Sequence, residues 1–512
     1  MELISGLLSV LHPLTIGLLL GGTVVGIVFG AIPGLSAFTA LAIMLPLTFT
    51  MEPVNGIAFL VAVYVGGCSG GLISAILLGI PGTPSSIATC FDGYPMAQNG
   101  HAKKALGVAV LFSFVGGIFG AVVLTYLGPL IAQVALRFSP YEYFAVILFA
   151  LTTVSSLSAG NIVKGLLSCL LGVSLAFVGI DKLSSYTRYT FGFSQFDAGF
   201  NLVPLLIGVF AVSQIMENAA QRNTKEATAC VVIPQTDKVK GFGISLKEFV
   251  AQLPNAIPSA LIGLVIGILP GIGGNVSNLM SYAYVKKRSK TPEKFGTGFV
   301  DGIVASETAN NATIGGALII LLTLGIPGDN ATSMILAGFQ LHGIAPGPLL
   351  FKTSASLVYA IFGAYILANI FMLVCEFFGL PIFTKMLCVP TEFLLPIVIA
   401  FCFVGSFSAN NRVFDIMVMV IFGIIGYVLK KFKYPLAPLV VGFILAPLLE
   451  ENLRRSLMRT SGSFIPILTS PIAALFLILT GVVIVLTVRN ELKKSMGKAN
   501  KSDTNVINQK GE

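Results

Sequence analysis

Long apolar runs separated by short polar clusters recur along nearly the whole chain. Ala105–Leu127, Leu166–Ile180, Ser354–Phe378 and Ile465–Val488 are such runs, and Tyr143–Thr153 continues to Leu157 through Ser and Thr. A membrane-spanning helix needs about 20 such residues. The runs are continuous and do not alternate, which argues against a β-barrel. The pattern predicts an all-α polytopic membrane protein with about eleven or twelve spanning helices at that length. Shorter apolar pieces such as Ala37–Phe49 predict re-entrant or broken half-helices.

The interruptions repeat. Gly30-Ala-Ile-Pro-Gly34, then Gly70-Gly71, then Leu78-Gly-Ile-Pro-Gly82 occur in the first half. Gly267-Ile-Leu-Pro-Gly271, then Gly315-Gly316, then Leu324-Gly-Ile-Pro-Gly328 occur in the second. Glycine followed by an aromatic comes next in both, at Gly93-Tyr94 and Gly338-Phe339. Four landmarks in the same order predict two related repeats. The polar stretch between them is too hydrophilic to span. The expected organisation is membrane repeat 1 over 1–220, a cytoplasmic connector over 221–252, membrane repeat 2 over 253–490, and a disordered cytoplasmic tail over 491–512.

Charge sets the orientation of the repeats. The first G-x-x-P-G element exits through the uncharged Leu45–Thr50, and the first LGIPG exits through His101, Lys103 and Lys104. In the second half the order is reversed: Lys286–Lys294 follow G-x-x-P-G, and the uncharged Gly343–Leu350 follow LGIPG. Basic loops mark the cytoplasm, so equivalent elements open to opposite sides, as in the inverted-topology repeats of secondary transporters.

Composition agrees. Only 10% of the 512 residues are charged and 55% are hydrophobic, against about 25% charged in a soluble domain. The net charge of +9 comes from clusters between apolar runs, so it indicates cytoplasmic loops rather than nucleic acid. Seven cysteines without a C-x-x-C pair predict neither a disulfide nor a zinc framework. The N-terminus lacks a basic n-region, so no cleaved signal peptide is expected.

Proline removes a backbone donor and glycine weakens a helix, so Pro-Gly stops one. Freed backbone groups at membrane depth are tolerated only inside protein or beside a polar cavity. A lone Pro-Gly is more often a kink. Here small polar residues follow each break and suit the start of a new half-helix, whose N–H groups favour an anion. The candidate substrate-binding residues are therefore Pro33, Gly34 and Ser36; Pro81, Gly82, Thr83, Ser85 and Ser86; Gly273, Gly274, Asn275 and Ser277; and Gly328, Asn330 and Thr332. The solute expected is a carboxylate.

Glu307, Asn310 and Asn311 lie on one helix face at i, i+3 and i+4. In an apolar segment they could bind a coupling cation or a proton, or simply hydrogen-bond between helices. Asp329 is a further cation or proton candidate. Asp92 is expected to cap a loop beside a basic cluster, and Arg412 to anchor a helix end. No catalytic residue, metal site or cofactor is expected beyond a coupling Na+ or H+.

At these residues the chain resembles a known family, the TctA-like large membrane subunit of tripartite tricarboxylate transporters. The resemblance runs from about Gly17 to Phe476. It rests on Gly30–Leu35 with Leu45–Phe49, Ile80–Ser86 with Asp92–Met96, Ser306–Ala312 leading into Leu324–Gly328, and Phe422–Tyr427 with Pro435–Pro438 and Arg454–Leu457. It implies a small four-helix membrane subunit and a periplasmic or extracellular solute-binding protein as partners. It also implies uptake of citrate or other carboxylates by a sodium or proton gradient without ATP, and a place in the bacterial inner membrane. The family's presumed substrate region maps to Pro33, Gly34, Pro81, Gly82, Thr83, Ser85 and Ser86. Asp329 departs from the small residue expected there and could alter coupling or substrate preference. Lipid surrounds such a protein, nucleic acid is not a partner, and a homodimer is compatible with the reading.

Two other classes remain to be weighed. Gly67-Cys68-Ser69-Gly70 matches a short serine-protease pattern, but the nucleophile would need a histidine, and His12, His101 and His342 all lie near segment ends. An ion channel would use similar backbone sites, whereas inverted repeats favour alternating access.

Overall fold

The computed structural model describes residues 2–157, 162–181, 183–220, 241–386 and 391–508. The helices of the first part are α1 (Glu2–Ser9), α2 (Pro13–Ala31), α3 (Ala37–Met44), α4 (Pro53–Leu78), α5 (Ile87–Met96), α6 (Ala102–Ala135), α7 (Pro140–Leu157), α8 (Ile162–Ala176), α9 (Leu202–Leu206) and α10 (Ser213–Ala220). Those of the second are α11 (Leu246–Ile268), α12 (Gly274–Arg288), α13 (Val300–Leu324), α14 (Asn330–Leu341), α15 (Leu350–Thr353), α16 (Ala355–Met386), α17 (Thr391–Ser408), α18 (Val413–Lys431), α19 (Leu436–Arg459), α20 (Ile465–Thr469) and α21 (Pro471–Asn508). Among the described residues, nine helical stretches are long and apolar enough to cross a membrane. Shorter apolar helices at Ala37–Thr50, Ile162–Ala176 and Pro396–Ser408 accompany them. The fold is an all-α polytopic membrane protein.

Packing divides the chain differently from sequence repetition. One unit comprises Met1–Arg137 and Phe200–Val428, and the other Phe138–Gly199 and Leu429–Glu512. Each unit therefore draws on both sequence halves.

In the first unit, α2 and α4 run parallel, with Gly22 against Phe59, Gly26 against Val63 and Gly30 against Gly67. α11 and α13 do the same, with Gly263 against Ala309 and Gly267 against Thr313. Small residues at these crossings let the backbones approach closely, as membrane helix pairs require. The chain turns back after α2 and after α11, so α2–α3 and α11–α12 are re-entrant hairpins. The mouth of α11–α12 lies with the end of α5: Tyr282 and the 296–299 loop bond Asp92. The turn after α3 lies with the end of α14, where Gly56 faces His342. Equivalent hairpins thus open at opposite ends, one of which carries Lys103, Lys104 and Lys286–Arg288.

Two boundaries differ from expectation. α11 begins at Leu246, inside the expected connector, because Ser245 and Glu248 form a reciprocal capping box that satisfies free N–H groups of the first turn. The rest of that connector, 221–240, lies outside the described residues. At the other end α21 continues to Asn508, into the segment expected to be disordered. Extending an existing helix adds one hydrogen bond per residue fixed, without a new nucleation cost.

In the second unit, α8 packs on α19 where Gly442 meets the Cys169 carbonyl. A short antiparallel hairpin pairs Gly179 with Arg188 and Ile180 with Thr187. Asp181 accepts from the Ser184 hydroxyl and from Arg454 at 2.6 Å, while Arg188 grips Glu450 through two bonds of 2.8 and 3.2 Å. The Ser184 and Arg454 hydrogen bonds hold the Asp181 carboxyl well below the usual carboxylate range.

Candidate functional site

All four predicted interruptions are present. α4 and α13 both end in a left-handed glycine, Gly79 at φ 67° and Gly325 at φ 71°, a conformation that costs glycine nothing extra. From each, an Ile-Pro-Gly strand tucks back along the helix it has left. A Cβ on Gly328 would lie 2.7 Å from Ala317 Cα and 2.8 Å from the Gly267 carbonyl. A Cβ on Gly82 would meet the equivalent groups, Gly71 Cα at 3.0 Å and the Gly30 carbonyl. The shared pentapeptide is therefore a packing solution: a turn-forming glycine, a helix stop, and a glycine that fits against the crossing point of the hairpin.

The starts of the half-helices differ. Ser36 accepts from the Thr39 N–H at 3.4 Å at the start of α3. The Thr83 N–H donates to Ser86 Oγ at 3.3 Å, and Ser86 Oγ donates to the Thr83 carbonyl at 2.8 Å. Asp329 accepts from the Thr332 N–H at 2.8 Å and receives the Thr332 hydroxyl. The α14 start is therefore capped by a side chain of the chain itself. Only α12 starts without a side-chain cap among these four, at Gly273 with φ 64°.

The structure brings three of the breaks together. The Gly271 N–H donates to the Gly328 carbonyl at 2.7 Å, joining both interruptions of the second half. Gly273 packs on Asp329, and Gly274 packs between Ser85 and Asn310. Asn278, one turn into α12, donates to the Ser85 carbonyl. Thr313 donates to Ser277 at 2.7 Å, and Asn310 donates to the Cys68 carbonyl at 3.4 Å. Oδ1 of Asn278 and of Asn310 is buried with no partner. The first break stands somewhat apart: the Gly34 carbonyl accepts from Asn218 at 3.1 Å. Asn275 is exposed, and Pro33, Pro81 and Asn330 are only partly covered.

Glu307 is fully buried and accepts from Thr89 and from Ser113, the latter at 2.9 Å. Asn311 donates to the Glu307 carbonyl at 3.1 Å and leaves its own Oδ1 unpartnered. Asp92 caps a loop as expected, but one from the other repeat. It accepts from Tyr282 and from the N–H groups of Gly296, Gly298 and Phe299 at 2.8–3.0 Å. Arg412 pairs with Asp415 at 2.9 Å. Ser69 donates to Glu376 at 2.8 Å, so the serine once weighed as a nucleophile is bonded to a carboxylate.

Sequence reasoning missed Tyr64, Asn278 and Glu376. Glu376 carried a readable signal, a carboxylate within an apolar run. Asn278 shares the Gly274 face at i+4. Tyr64 had none, since a tyrosine in an apolar helix reads as packing.

Interrupted re-entrant helices in an all-α membrane core, with an uncapped helix start beside buried unpartnered amide oxygens, are the architecture of membrane transport proteins built from broken helices. The match is specific: residues 16–441 fit the Tripartite tricarboxylate transporter TctA family, and the chain belongs to that family. It is 35% identical over 478 residues, 93% of this chain and 94% of the other, to an "Uncharacterized 52.8 kDa protein in TAR-I ttuC' 3'region" of Agrobacterium vitis. It is also 37% identical over 212 residues, 41% of this chain and 88% of the other, to an "Uncharacterized protein in TAR-II ttuC' 3'region" of the same organism. No solved structure matches the chain. As its name states, the family serves tripartite transport systems.

Proposed function

We propose that this chain is the large permease subunit of a binding-protein-dependent tripartite transporter that takes up carboxylate solutes by cation-coupled secondary transport. The observation that carries the reading is the uncapped start of α12, placed against Ser85 of the first repeat and Asn310 of the second. Backbone N–H groups at a helix start bind a carboxylate without a lysine or arginine. Ser85, Gly273, Gly274 and Ser277 stand closest to that start. Gly82 and Gly328 support it by packing, and the capped starts at Ser36, Thr83 and Asp329 shape its walls. Glu307, Asn310 and Asn311 supply oxygen ligands for the coupling Na+ or H+.

On this reading the basic loops at Lys103–Lys104 and Lys286–Arg288 are cytoplasmic, as the positive-inside rule suggests, and the multi-pass chain belongs to a bacterial inner membrane; the basic residues from Arg489 onward support a cytoplasmic C-terminus. A small four-helix membrane subunit and an extracytoplasmic solute-binding protein complete the complex. Uptake of radiolabelled citrate and other di- and tricarboxylates, by vesicles holding the whole complex under a sodium or a proton gradient, tests the reading. Accumulation under one gradient that is lost in Asn310→Ala supports it. No accumulation of any carboxylate under either gradient would reject it.

A further inference from the structure

We infer that Glu376 is a proton-binding site of the transport cycle, with Ser69 as its hydrogen-bonding partner. The inference rests on the transport reading above and goes beyond it by naming the ion and a residue outside the Glu307 cluster.

Glu376 lies within α16 and is fully buried. Its Oε2 accepts from Ser69 Oγ at 2.8 Å, and its Oε1 has no partner at all. Among the described residues no Lys, Arg or His forms an ion pair with it. Glu307 forms a contrast. Each of its oxygens receives a hydroxyl, from Thr89 and from Ser113. Glu376 has one donor for two oxygens.

Magnitudes decide between its forms. A buried, unpaired carboxylate carries a large desolvation cost. A neutral carboxylic acid with one unmet hydrogen bond costs far less. In this arrangement Glu376 is therefore the protonated acid. Release of the proton needs either water or a cation at Oε1, and a transport cycle that opens the core to one side supplies water.

Its surroundings connect it to the candidate solute site. Ser69 lies in the Gly66–Gly71 stretch of α4, one residue after Cys68, whose carbonyl accepts from Asn310. On α6, Ser113 bonds Glu307 while Gly117 packs on Asn369 of α16. A shift of α4 or α13 on solute binding thus reaches both carboxylates through single residues. The titratable groups of the elements packed around Glu376 are few. α4 offers Tyr64 and Cys68, α16 itself Tyr359, Tyr365, Cys375 and Lys385, and α13 Glu307 and Asp301; α6 has Lys103 and Lys104 at its first turn and Tyr126 further on; α1 has Glu2, α15 has Lys352, and α2 has none.

The test uses the complete complex in proteoliposomes and the isosteric variant Glu376→Gln, which keeps the neutral shape. Infrared difference spectroscopy of the wild type across a pH titration is expected to show a protonated buried carboxylic acid band that Glu376→Gln lacks and Glu307→Gln keeps. Uptake driven by an inward proton gradient is expected to be lost in Glu376→Gln. Ser69→Ala is expected to shift the titration of that band, which a purely structural serine would not do. A wild-type band unaffected by Glu376→Gln, or full proton-driven uptake by that variant, would overturn the inference. Wild-type vesicles that accumulate no carboxylate under any gradient would instead reject the transport reading, and the infrared band would still decide whether Glu376 binds a proton.

Discussion

The Tyr64 hydroxyl donates to Oδ2 of Asp329, fastening α4 of the first repeat to the start of α14 in the second. Oδ1 of the same carboxylate caps α14 through the Thr332 N–H. One side chain thus closes a helix and joins two repeats. Tyr64→Phe removes a donor from a largely enclosed carboxylate and should destabilise by about 1–3 kcal/mol. Asp329→Ala should cost at least the cap, about 1–2 kcal/mol, whereas Asp329→Ser retains a cap and should lose less. Thermal unfolding of the three variants in detergent gives the ranking; equal losses for Ser and Ala would show that the cap contributes nothing.

The glycines of the pentapeptides bear on packing before they bear on transport. Gly328→Ala places a methyl group 2.7 Å from Ala317 Cα, where real Cβ atoms are not found. Overpacking of this kind costs about 1–3 kcal/mol for the added methyl and more for valine. Gly328→Val and Gly82→Val are therefore expected to lower the yield of folded protein as well as uptake. Size-exclusion profiles measured beside uptake separate the two effects. A monodisperse Gly328→Val with normal thermal stability would contradict the packing described for the second break.

Asp92 gathers three backbone N–H groups from the loop after α12 and the Tyr282 hydroxyl from α12 itself. Hydrogen bonds to a charged group contribute about 1.5–3 kcal/mol each before the coupling among them is counted. Asp92→Ala should release the 296–299 loop. Hydrogen–deuterium exchange at Gly296, Gly298 and Phe299 should accelerate well beyond exchange in the α13 core. Unchanged protection at those three amides would remove Asp92 as their anchor.

Asp181 gives the second unit an acid limb. Its folded-state carboxyl titrates below its unfolded value, held down by Ser184 and then by Arg454. The associated stability is present above the unfolded pKa of about 4 and is lost as pH falls toward the folded value. Unfolding of the wild type should steepen below about pH 4, and Asp181→Asn should flatten that limb while lowering stability at neutral pH. An identical acid limb in Asp181→Asn would assign it to other carboxylates.

The membrane class and the four breaks were readable because apolar length and Pro-Gly punctuation are local properties of the chain. The inverted order of Lys103–Lys104 and Lys286–Lys294 anticipated which hairpins share an end, since charge near a helix end reports sidedness. Depth of contact was not readable. Gly82 and Gly328 suggested a ligand, and only the fold shows how tightly they also pack: a Cβ on Gly82 would meet the Gly30 carbonyl of α2, and one on Gly328 would meet Ala317 and the Gly267 carbonyl of α11. That Asp329 caps α14 was not readable either, because only the fold shows that Thr332 faces it. Glu376 was readable as a carboxylate inside an apolar run, but its partner was not, since Ser69 lies more than three hundred positions away.

The two packing units interleave along the chain, and this sets an order of assembly. The Phe138–Gly199 portion has no complete set of neighbours until Leu429 and later residues are synthesised. At about 5–20 residues per second, that interval lasts on the order of ten to fifty seconds. During it, α7 and α8 sit in the bilayer with their α19 and α21 faces bare, open to lipid, to insertion chaperones or to a wrong helix.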